Sequence, residues 1–307
     1  MTKTIQGKKL TSKEAARLLG VSEASVKRWA DSGLLPAEKT AGGHRRFRPE
    51  DVAIIRRDGL REEDVNPLKK RFPARPLEES VLEPARVAML VEETFEALME
   101  GHDEQLSELF INLYLQGQTV AAIADHLLCV AMRRVGDLWH EGKLSITQEH
   151  VATRTALSTL QNFHAVLDAP KGKQLMALCC STEEDFHDLP VQLTVLTLEA
   201  EGLKVFNLGT STPFYALREA VERFEPQLVC VSSTILSNLD RAAREYAEFH
   251  PMARRTHTSV VLGGAGFSDA GVRKRFPAEL YADSYQHLAA FASGLMSPET
   301  GGQSNES

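Results

Sequence analysis

The spacing of apolar residues divides the chain into three regions with different predicted structures. Two short helices separated by a tight turn are predicted within residues 11–33. Four longer amphipathic helices follow, at about residues 87–98, 104–116, 119–140 and 147–167. Four helices of this length with short connections predict a bundle. After residue 170, short apolar runs alternate with helical segments, which predicts a parallel sheet with helices on both faces.

Five apolar runs in the last region are short enough to be strands. They lie at about residues 175–180, 204–208, 228–233, 259–263 and 280–282. Pro213 begins one of the helices between them. This alternation is typical of a doubly wound sheet of flavodoxin-like type, in which ligands bind at the loops that follow the carboxyl ends of the strands. The predicted fold class is therefore multidomain, with α and α/β parts.

The first two helices carry the sequence signals of a helix-turn-helix. Thr11 and Glu14 have the spacing of a capping box, and Gly20 ends the helix that they begin. Ser22 is placed to cap the second helix after a short turn. A second helix in this arrangement suits a DNA major groove. The residues predicted to point outward from it, towards DNA, are Ser25, Lys27 and Arg28.

A basic hairpin is predicted directly after the helix-turn-helix. Gly42 and Gly43 permit a tight turn, and Pro49 begins the next helix. The residues predicted to project from the hairpin and contact DNA phosphates or a groove edge are His44, Arg45 and Arg46. A capped helix-turn-helix followed by a basic wing resembles the winged-helix DNA-binding head of the MerR family, over about residues 9–57.

The distribution of charge agrees with a DNA-binding head. The whole chain has a net charge of −7, but residues 1–75 contain 18 Lys and Arg against 10 Asp and Glu, and the remainder contains 17 against 32. A basic head on an acidic body indicates that nucleic acid binds at one end only. The four cysteines lack a C-x-x-C spacing and lie in apolar runs. With no membrane-spanning run and no signal peptide pattern, we expect a reduced, cytoplasmic protein.

Three polar clusters follow predicted strands of the sheet. Asp185 and His187 follow the first strand, and at this position an imidazole can bind a metal while a nearby carboxylate holds its other nitrogen. For these two residues alone, a histidine in a surface loop is the simpler interpretation. The ends of two later strands carry the pairs Ser232 with Thr234 and Gly263 with Gly264.

Together, these clusters resemble the cobalamin-binding motif D-x-H-x-x-G, S-x-L, G-G, in residue types and in spacing. The resemblance implies that His187 is the lower ligand of cobalt and that Asp185 supports it. It also implies that the Ser, Thr and Gly positions line the pocket for the nucleotide tail of the cofactor, where small side chains permit close approach. Two positions depart from the motif, because Pro190 replaces its Gly and Thr234 replaces its Leu. Pro190 puts the fit of the tail in doubt.

The connection between the last two bundle helices contains three further candidate residues. Trp139 ends one helix, and Glu149 and His150 are predicted in the first turn of the next, after Thr147 as its cap. A structural cap and a core tryptophan are the more common uses of such residues. The helix dipole also disfavours a charged imidazole at His150, which would leave it neutral and able to bind a metal.

With all three regions in this order, the chain resembles the CarH-type, MerR-family light-responsive repressors over nearly its whole length. The resemblance implies that Trp139 and Glu149 surround the adenosyl group of adenosylcobalamin and that light breaks the cobalt–carbon bond. His150 is then expected to become the upper cobalt ligand. It further implies a tetramer that represses operator DNA in the dark and disperses in light, and a protein that is not an enzyme.

Two alternatives from other functional classes are kept. One is a corrinoid-dependent enzyme or methyl carrier, and the other is a MerR-type regulator whose sheet has lost cobalamin and senses another signal. The expected domains are a DNA-binding head at residues 1–75, a bundle at 76–169, a cobalamin-binding sheet domain at 170–297 and a disordered tail at 298–307.

Overall fold

The computed structural model describes residues 9–31, 33–40, 42–58, 83–167 and 174–296. These residues form two compact units, one within residues 1–169 and the other within residues 170–307. The predicted tail and the predicted domain boundaries lie outside the described residues. Within the described part of the chain, no helix is both long enough and apolar enough to cross a bilayer.

The head consists of three helices and a small antiparallel sheet. Its elements are β1 (Leu10–Thr11), α1 (Ser12–Leu19), α2 (Glu23–Asp31), β2 (Glu38–Lys39), β3 (Arg45–Phe47) and α3 (Pro49–Asp58). The predicted capping box is present, because Thr11 Oγ1 accepts from the Glu14 amide at 3.2 Å and a Glu14 carboxylate oxygen accepts from the Thr11 amide at 2.7 Å. Ser22 Oγ accepts from the Ser25 amide at 3.1 Å, as expected for the cap of α2.

The wing is a hairpin that packs on this helical core. Strand β3 lies between β1 and β2 and pairs with both in antiparallel register. The turn is closed by a hydrogen bond of 2.9 Å from the Thr40 amide to the His44 carbonyl. Phe47 in β3 is fully buried and packs with Val26 and Trp29 of α2. One apolar core therefore fixes the wing relative to the helix-turn-helix.

The helical bundle follows in the same unit. Its elements are α4 (Pro84–Glu100), α5 (Asp103–Leu115), α6 (Val120–Ile123), a π-helical turn (Ala124–Leu128), α7 (Cys129–His140) and α8 (Ile146–His164). The helix predicted at residues 119–140 is present but contains the π turn, which side-chain spacing does not reveal. Helix α8 begins one residue earlier than predicted. Its N-cap is Ser145, in a capping box with Gln148, and not Thr147.

The head packs on the bundle through helices α3 and α5. At this contact the guanidinium of Arg56 lies over the ring of Tyr114, 5.0 Å from its centroid. Tyr114 in turn makes an edge contact with Phe163 of α8 at 5.6 Å. Helix α3 of the head therefore contacts aromatic residues of the bundle core.

The second unit is a five-stranded parallel sheet. Its strands are β4 (Met176–Thr182), β5 (Lys204–Thr212), β6 (Leu228–Ser232), β7 (Ser259–Gly263) and β8 (Leu280–Ala282), in the order β5-β4-β6-β7-β8. This is the predicted flavodoxin-like order. The strands β4 and β5 run further than predicted, and their register shifts twice near Cys180. The sequence pattern predicted five strands, and all five are present.

Helices cover both faces of the sheet. They are α9 (Asp188–Ala200), α10 (Phe214–Phe224), α11 (Leu239–Arg255), α12 (Ala270–Arg275) and α13 (Tyr285–Met296). One apolar core joins the sheet to α9 and α13, and another joins it to α10 and α11. After β4 the chain passes to the face covered by α9 and α13. After β6 it passes to the opposite face, which is covered by α10 and α11. The crevice between the loops after β4 and β6 is therefore the topological switch point, where open α/β sheets bind ligands.

The cysteines are free thiols, as the sequence predicted. Cys179, Cys180 and Cys230 are buried in the sheet. Burial raises the pKa of the Cys180 thiol to about 12, so this thiol is protonated at neutral pH. Cys129 in α7 has its pKa raised to about 12 for the same reason.

Candidate functional site

Asp185 lies at the switch point and connects its two loops. It follows β4 and is 1% exposed. Its Oδ1 atom is 2.6 Å from His187 Nδ1 and also accepts from the His187 amide at 3.1 Å. Its Oδ2 atom accepts from the amide of Thr234, in the loop after β6, at 2.6 Å. A buried carboxylate needs such partners, and here they fix its orientation.

His187 is held at one nitrogen and is accessible at the ring. Its side chain is 51% exposed, at the N-terminal end of α9. Since an ionised carboxylate can only accept a hydrogen bond, Nδ1 is the donor to Asp185 and the lone pair of the neutral ring is at Nε2. A carboxylate–histidine pair of this kind is the usual support of a metal-binding imidazole. The structure therefore brings together the two residues that the sequence paired.

This donor set fits cobalamin better than a free metal ion. A structural zinc site uses four protein ligands and a catalytic one uses three. One imidazole is enough for a metal that arrives within a macrocycle, as the proximal histidine of haem illustrates. The residues present at the switch point thus fit the cofactor that the sequence motif predicts.

The serine at the end of β6 that is buried in the crevice is Ser233. Ser232 is the last residue of β6, in register with Ser181 and Gly263. Ser233 follows it, is fully buried, and its Oγ accepts from Thr182 Oγ1 at 2.9 Å. Sequence reasoning selected Ser232 and Thr234 and missed the residue between them. Because β6 is buried on both faces, an alternation of side chains along the strand does not show in the sequence which of these residues lies in the crevice.

Gly264 is required by the packing of the protein itself. Its φ angle is +94°, and a Cβ atom there would lie 2.4 Å from the carbonyl oxygen of Ser233. A Cβ atom at Gly266 would lie 2.6 Å from Ser233 Oγ, a constraint that the motif search missed. At Gly263 the nearest atom would be the Ala282 carbonyl oxygen, at 3.3 Å. Close packing within the protein therefore also requires glycine at position 264, in addition to the role in the tail pocket that the sequence motif predicts.

Pro190 is compatible with the helix in which it lies. It is the third residue of α9. The first four amides of a helix have no acceptor within the helix, so the missing N–H costs no hydrogen bond. The Pro190 carbonyl accepts from Thr194 Oγ1 at 2.9 Å. The fold therefore tolerates this departure from the motif.

The three bundle candidates lie at the connection between α7 and α8. Trp139 is 47% exposed in the last turn of α7, which corrects the interpretation of a core tryptophan. Glu149 lies in the first turn of α8 and accepts from Thr153 Oγ1 at 2.7 Å. His150 is the fifth residue of α8, beyond the first turn in which it was predicted, and its side chain is 71% exposed. Its Nε2 atom is 3.6 Å from Glu149 Oε2.

The outward face of α2 differs at one position from the prediction. Lys27 and Arg28 are exposed, as expected. Ser25 is only 9% exposed and its hydroxyl is 2.9 Å from Ser22 Oγ, so it belongs to the cap of the helix and not to its DNA face. Glu23 and Ala24 are exposed instead. These residues occupy one side of the helix because positions three and four apart are neighbours.

Carboxylates already pair with some of the basic residues of this surface. Glu23 Oε1 is 2.8 Å from Lys27 Nζ, within α2. Asp31, in the last turn of α2, forms an ion pair with Arg45 of the wing. His44 is exposed at the tip of the hairpin and Arg46 is half-buried in β3. The predicted DNA face therefore combines helix and wing, but its charge is partly neutralised.

Comparison with known proteins identifies the parts of the chain. The helix-turn-helix domain family matches residues 10–53, and the B12 binding domain family matches residues 90–161. The HTH-type transcriptional repressor CarH of Myxococcus xanthus is 25% identical over 262 residues, which cover 81% of this chain and 84% of CarH. CarA, a repressor of the same organism, is 25% identical over 285 residues, which cover 90% and 93%. The chain is thus similar to these two repressors over most of its length.

A solved structure shows the same fold for the larger part of the chain. The monomethylamine corrinoid protein of Methanosarcina barkeri aligns with a TM-score of 0.58 and 18% identity, over 68% of this chain and 99% of that protein. At this identity the likeness shows the fold alone. The multidomain fold class, with a helix-turn-helix head, a helical region and a parallel α/β sheet, is confirmed. The B12 binding match lies on the bundle, whereas the sequence motif lies on the sheet.

Proposed function

We propose that this protein is a transcriptional repressor that binds operator DNA through its head, binds adenosylcobalamin through its body, and releases DNA in light. The relationship to CarH and CarA supports repression, and the two matched domain families support binding of DNA and of cobalamin. The observation that carries the proposal is the buried Asp185 carboxylate 2.6 Å from Nδ1 of a half-exposed His187, in a chain that begins with a helix-turn-helix.

The proposed roles of the sheet residues follow from their contacts. His187 would bind cobalt through Nε2, and Asp185 would hold the ring in the tautomer that leaves this nitrogen unprotonated. The hydrogen bond from the Thr234 amide keeps the Asp185 carboxylate in place at 2.6 Å. We assign Ser232, Thr234, Gly263 and Gly264 to the pocket for the nucleotide tail, as the sequence motif implies; Ser232 and Gly263 are neighbours in the register of β6 and β7. Adenosylcobalamin, when bound, would supply a cobalt–carbon bond that light can break.

The proposed roles of the bundle residues rest on the sequence resemblance. We assign Trp139 and Glu149 to recognition of the adenosyl group, and His150 to ligation of cobalt after that group has left. The exposure of the Trp139 and His150 side chains in the bundle is compatible with these roles. The bond from Thr153 Oγ1 orients Glu149 without neutralising its charge.

Control of DNA binding is proposed to act through assembly. Several heads held together bind neighbouring half-sites with an affinity well above that of one head, because the later contacts are intramolecular. A tetramer in the dark that dispersed in light would therefore lose DNA without any change in a base contact. The protein itself would carry out no reaction on a substrate, since the cofactor supplies the photochemistry.

A gel shift on the protein's own promoter tests the proposal. With adenosylcobalamin, we expect retardation in darkness and loss of retardation after green light, with size-exclusion chromatography showing the matching change in assembly. DNA binding that is equal with and without cobalamin, together with no cobalamin absorbance after desalting, would favour a regulator of another signal. Transfer of a methyl group from bound methylcobalamin to a partner protein would favour a methyl carrier.

A further inference from the structure

Two residues with an unusual backbone conformation lie beside the Asp185–His187 loop and are bonded to each other. Glu184 has a φ angle of +63° and Ser211, near the end of β5, has one of +55°, although neither is glycine. The Glu184 amide donates to Ser211 Oγ at 3.0 Å. A non-glycine residue in this region is strained and persists only where the surroundings fix its backbone.

Ser211 also holds the backbone of Asp185. The Ser211 amide donates to the Asp185 carbonyl at 3.0 Å and to Ser181 Oγ at 3.0 Å. Ser181 is fully buried, and its hydroxyl donates to the same Asp185 carbonyl at 2.6 Å. Ser211 thus contacts the residues on both sides of the Glu184–Asp185 peptide bond, through its amide on one side and its hydroxyl on the other.

The end of strand β5 is built to bring Ser211 to this position. The register between β4 and β5 shifts between Cys179 and Cys180 and again before the pair Thr182 and Thr212. Gly209, with a φ angle of +85°, lies at this irregularity. Such irregular strand ends commonly redirect residues beside a functional site. The carboxyl end of β5 therefore follows the loop after β4 beyond the regular part of the sheet.

We propose that Ser211 is a positioning residue for His187. It fixes the backbone of Glu184 and Asp185, and so aims the Asp185 carboxylate at both His187 Nδ1 and the Thr234 amide. The strained conformations of Ser211 and Glu184 are maintained by these bonds. This inference rests on the proposed function, because the imidazole that it positions is the one proposed to bind cobalt.

The first test uses the full-length protein without cofactor. In protein labelled with ¹⁵N-histidine, the two ring nitrogens of His187 report the tautomer, and the His187→Ala variant assigns the signals. We expect the wild type to show one tautomer, protonated at Nδ1, and Ser211→Ala to show a mixture. Ser211→Gly, which relieves the backbone strain but also lacks the hydroxyl, should show a mixture too and guards against misfolding of the first variant. An unchanged single tautomer in both variants overturns the inference.

The second test measures cobalamin binding by absorbance titration. Loss of a partner that orients a metal ligand typically weakens binding by about 10–100-fold, and we expect Ser211→Ala to fall in this range. In a His187→Ala background the same substitution should have no further effect. Equal effects in both backgrounds would show that Ser211 serves only the stability of the sheet.

A control variant and the wild type separate the possible failures. Thr256→Ala removes a hydroxyl bonded at 2.9 Å to the Ala253 carbonyl at the end of α11. Thr256 precedes β7, so it lies at the amino ends of the strands, away from the loops that carry Asp185 and His187. It should leave both the tautomer and cobalamin affinity unchanged. If the wild type does not bind cobalamin, the proposed function fails, but the tautomer measurement still decides the role of Ser211. If the wild type binds and Ser211→Ala binds equally well with one tautomer, only the positioning role fails.

Discussion

Asp31 in the last turn of α2 forms an ion pair with Arg45 in strand β3 of the wing. The Asp31 side chain is 62% exposed, whereas the Arg45 side chain is 22% exposed. A carboxylate at the C-terminal end of a helix is disfavoured by the helix dipole, and one beside DNA is repelled by phosphates. The pair therefore holds an arginine of the predicted DNA face that could otherwise bind a phosphate.

Asp31→Asn is expected to tighten DNA binding. The substitution releases Arg45 for a phosphate contact, and each such contact steepens the dependence of log affinity on log salt by about 0.9. Affinity measured by fluorescence anisotropy at several salt concentrations gives this slope. Glu92→Gln removes a carboxylate paired with Arg134 at 2.6 Å in the bundle and serves as the control. Weaker binding with an unchanged slope would mean that the ion pair positions the wing.

Substitution of Arg28 is expected to weaken DNA binding, whereas substitution of Ser25 is expected to affect only stability. Arg28 is exposed on α2 and suits a base edge or a phosphate, so Arg28→Ala should weaken operator binding by about 1–3 kcal/mol. Ser25 is buried beside the cap, so Ser25→Ala should lower the melting temperature slightly and leave DNA affinity unchanged. Anisotropy and thermal unfolding measure the two effects. A loss of affinity with Ser25→Ala at full stability would restore Ser25 to the DNA face.

The difference between Arg28 and Ser25 shows what can be predicted from the sequence pattern and what cannot. Helical spacing predicted α2 and its cap, but three neighbouring polar residues do not reveal which of them faces the core. The hydroxyl of Ser25 lies 2.9 Å from Ser22 Oγ at the cap, and this contact is not visible in the spacing of polar residues. In the same way, the motif predicted Asp185 and His187 correctly as a bonded pair, but not Ser233 or Ser211. Those residues act through backbone bonds between different strands, for which the sequence carries no spacing rule.

His187→Ala and Asp185→Asn are expected to affect cobalamin differently. Loss of His187 removes the proposed cobalt ligand, so cofactor retention after desalting should fall strongly. Asn at position 185 can still accept from the Thr234 amide but removes the charge that stabilises the proton on Nδ1, so we expect weaker retention by about 10–100-fold. The absorbance spectrum after desalting measures both. If the His187→Ala variant retained cobalamin as fully as the wild type, His187 would not be the cobalt ligand.

His150→Ala is expected to leave cobalamin binding in the dark intact. Its side chain is 71% exposed, and the proposed role begins only after the adenosyl group has left. After illumination, the variant should lack the spectrum of cobalt bound by two histidines. Glu149, 3.6 Å away, is kept in this variant, so the recognition of the adenosyl group is preserved. A spectrum identical to that of the wild type would place the second ligand elsewhere.

Gly264→Ala is expected to destabilise the sheet domain even without cofactor. The added Cβ atom would lie 2.4 Å from the Ser233 carbonyl oxygen, and the φ angle of +94° is unfavourable for alanine. Together these effects are expected to cost more than about 2 kcal/mol. Gly294→Ala is the control, because no atom lies within 4 Å of its added Cβ and the residue is in α13. Urea unfolding without cobalamin measures the difference. Equal midpoints for Gly264→Ala and the wild type would contradict this account.

Glu108 is expected to make the stability of the first unit depend on pH. It lies on α5, and one of its carboxylate oxygens is buried without a hydrogen bond among the described residues. Burial raises the pKa of Glu108 above its ordinary value of 4.5. The nearby charges of Glu50 and Glu104 raise this pKa further, against the opposing charges of Arg48 and Lys9. The folded state thus binds the proton more tightly than the unfolded state.

The sign of the effect follows from this order of proton affinities. The stabilisation from the bound proton is complete below about pH 4.5 and is lost as the pH rises through the higher pKa of the folded state. Glu108→Gln stays neutral, so it should melt at a higher temperature than the wild type at pH 7, and this difference should vanish as the pH falls below about 4.5. Glu96→Gln, at an exposed position on α4, is the matched control, because Glu96 is not among the charges that shift the pKa of Glu108. Thermal unfolding followed by circular dichroism between pH 4 and pH 8 measures the difference. If the melting temperature of Glu108→Gln exceeded that of the wild type by the same amount at every pH, the Glu108 carboxylate would not be desolvated at the contact of α3 and α5.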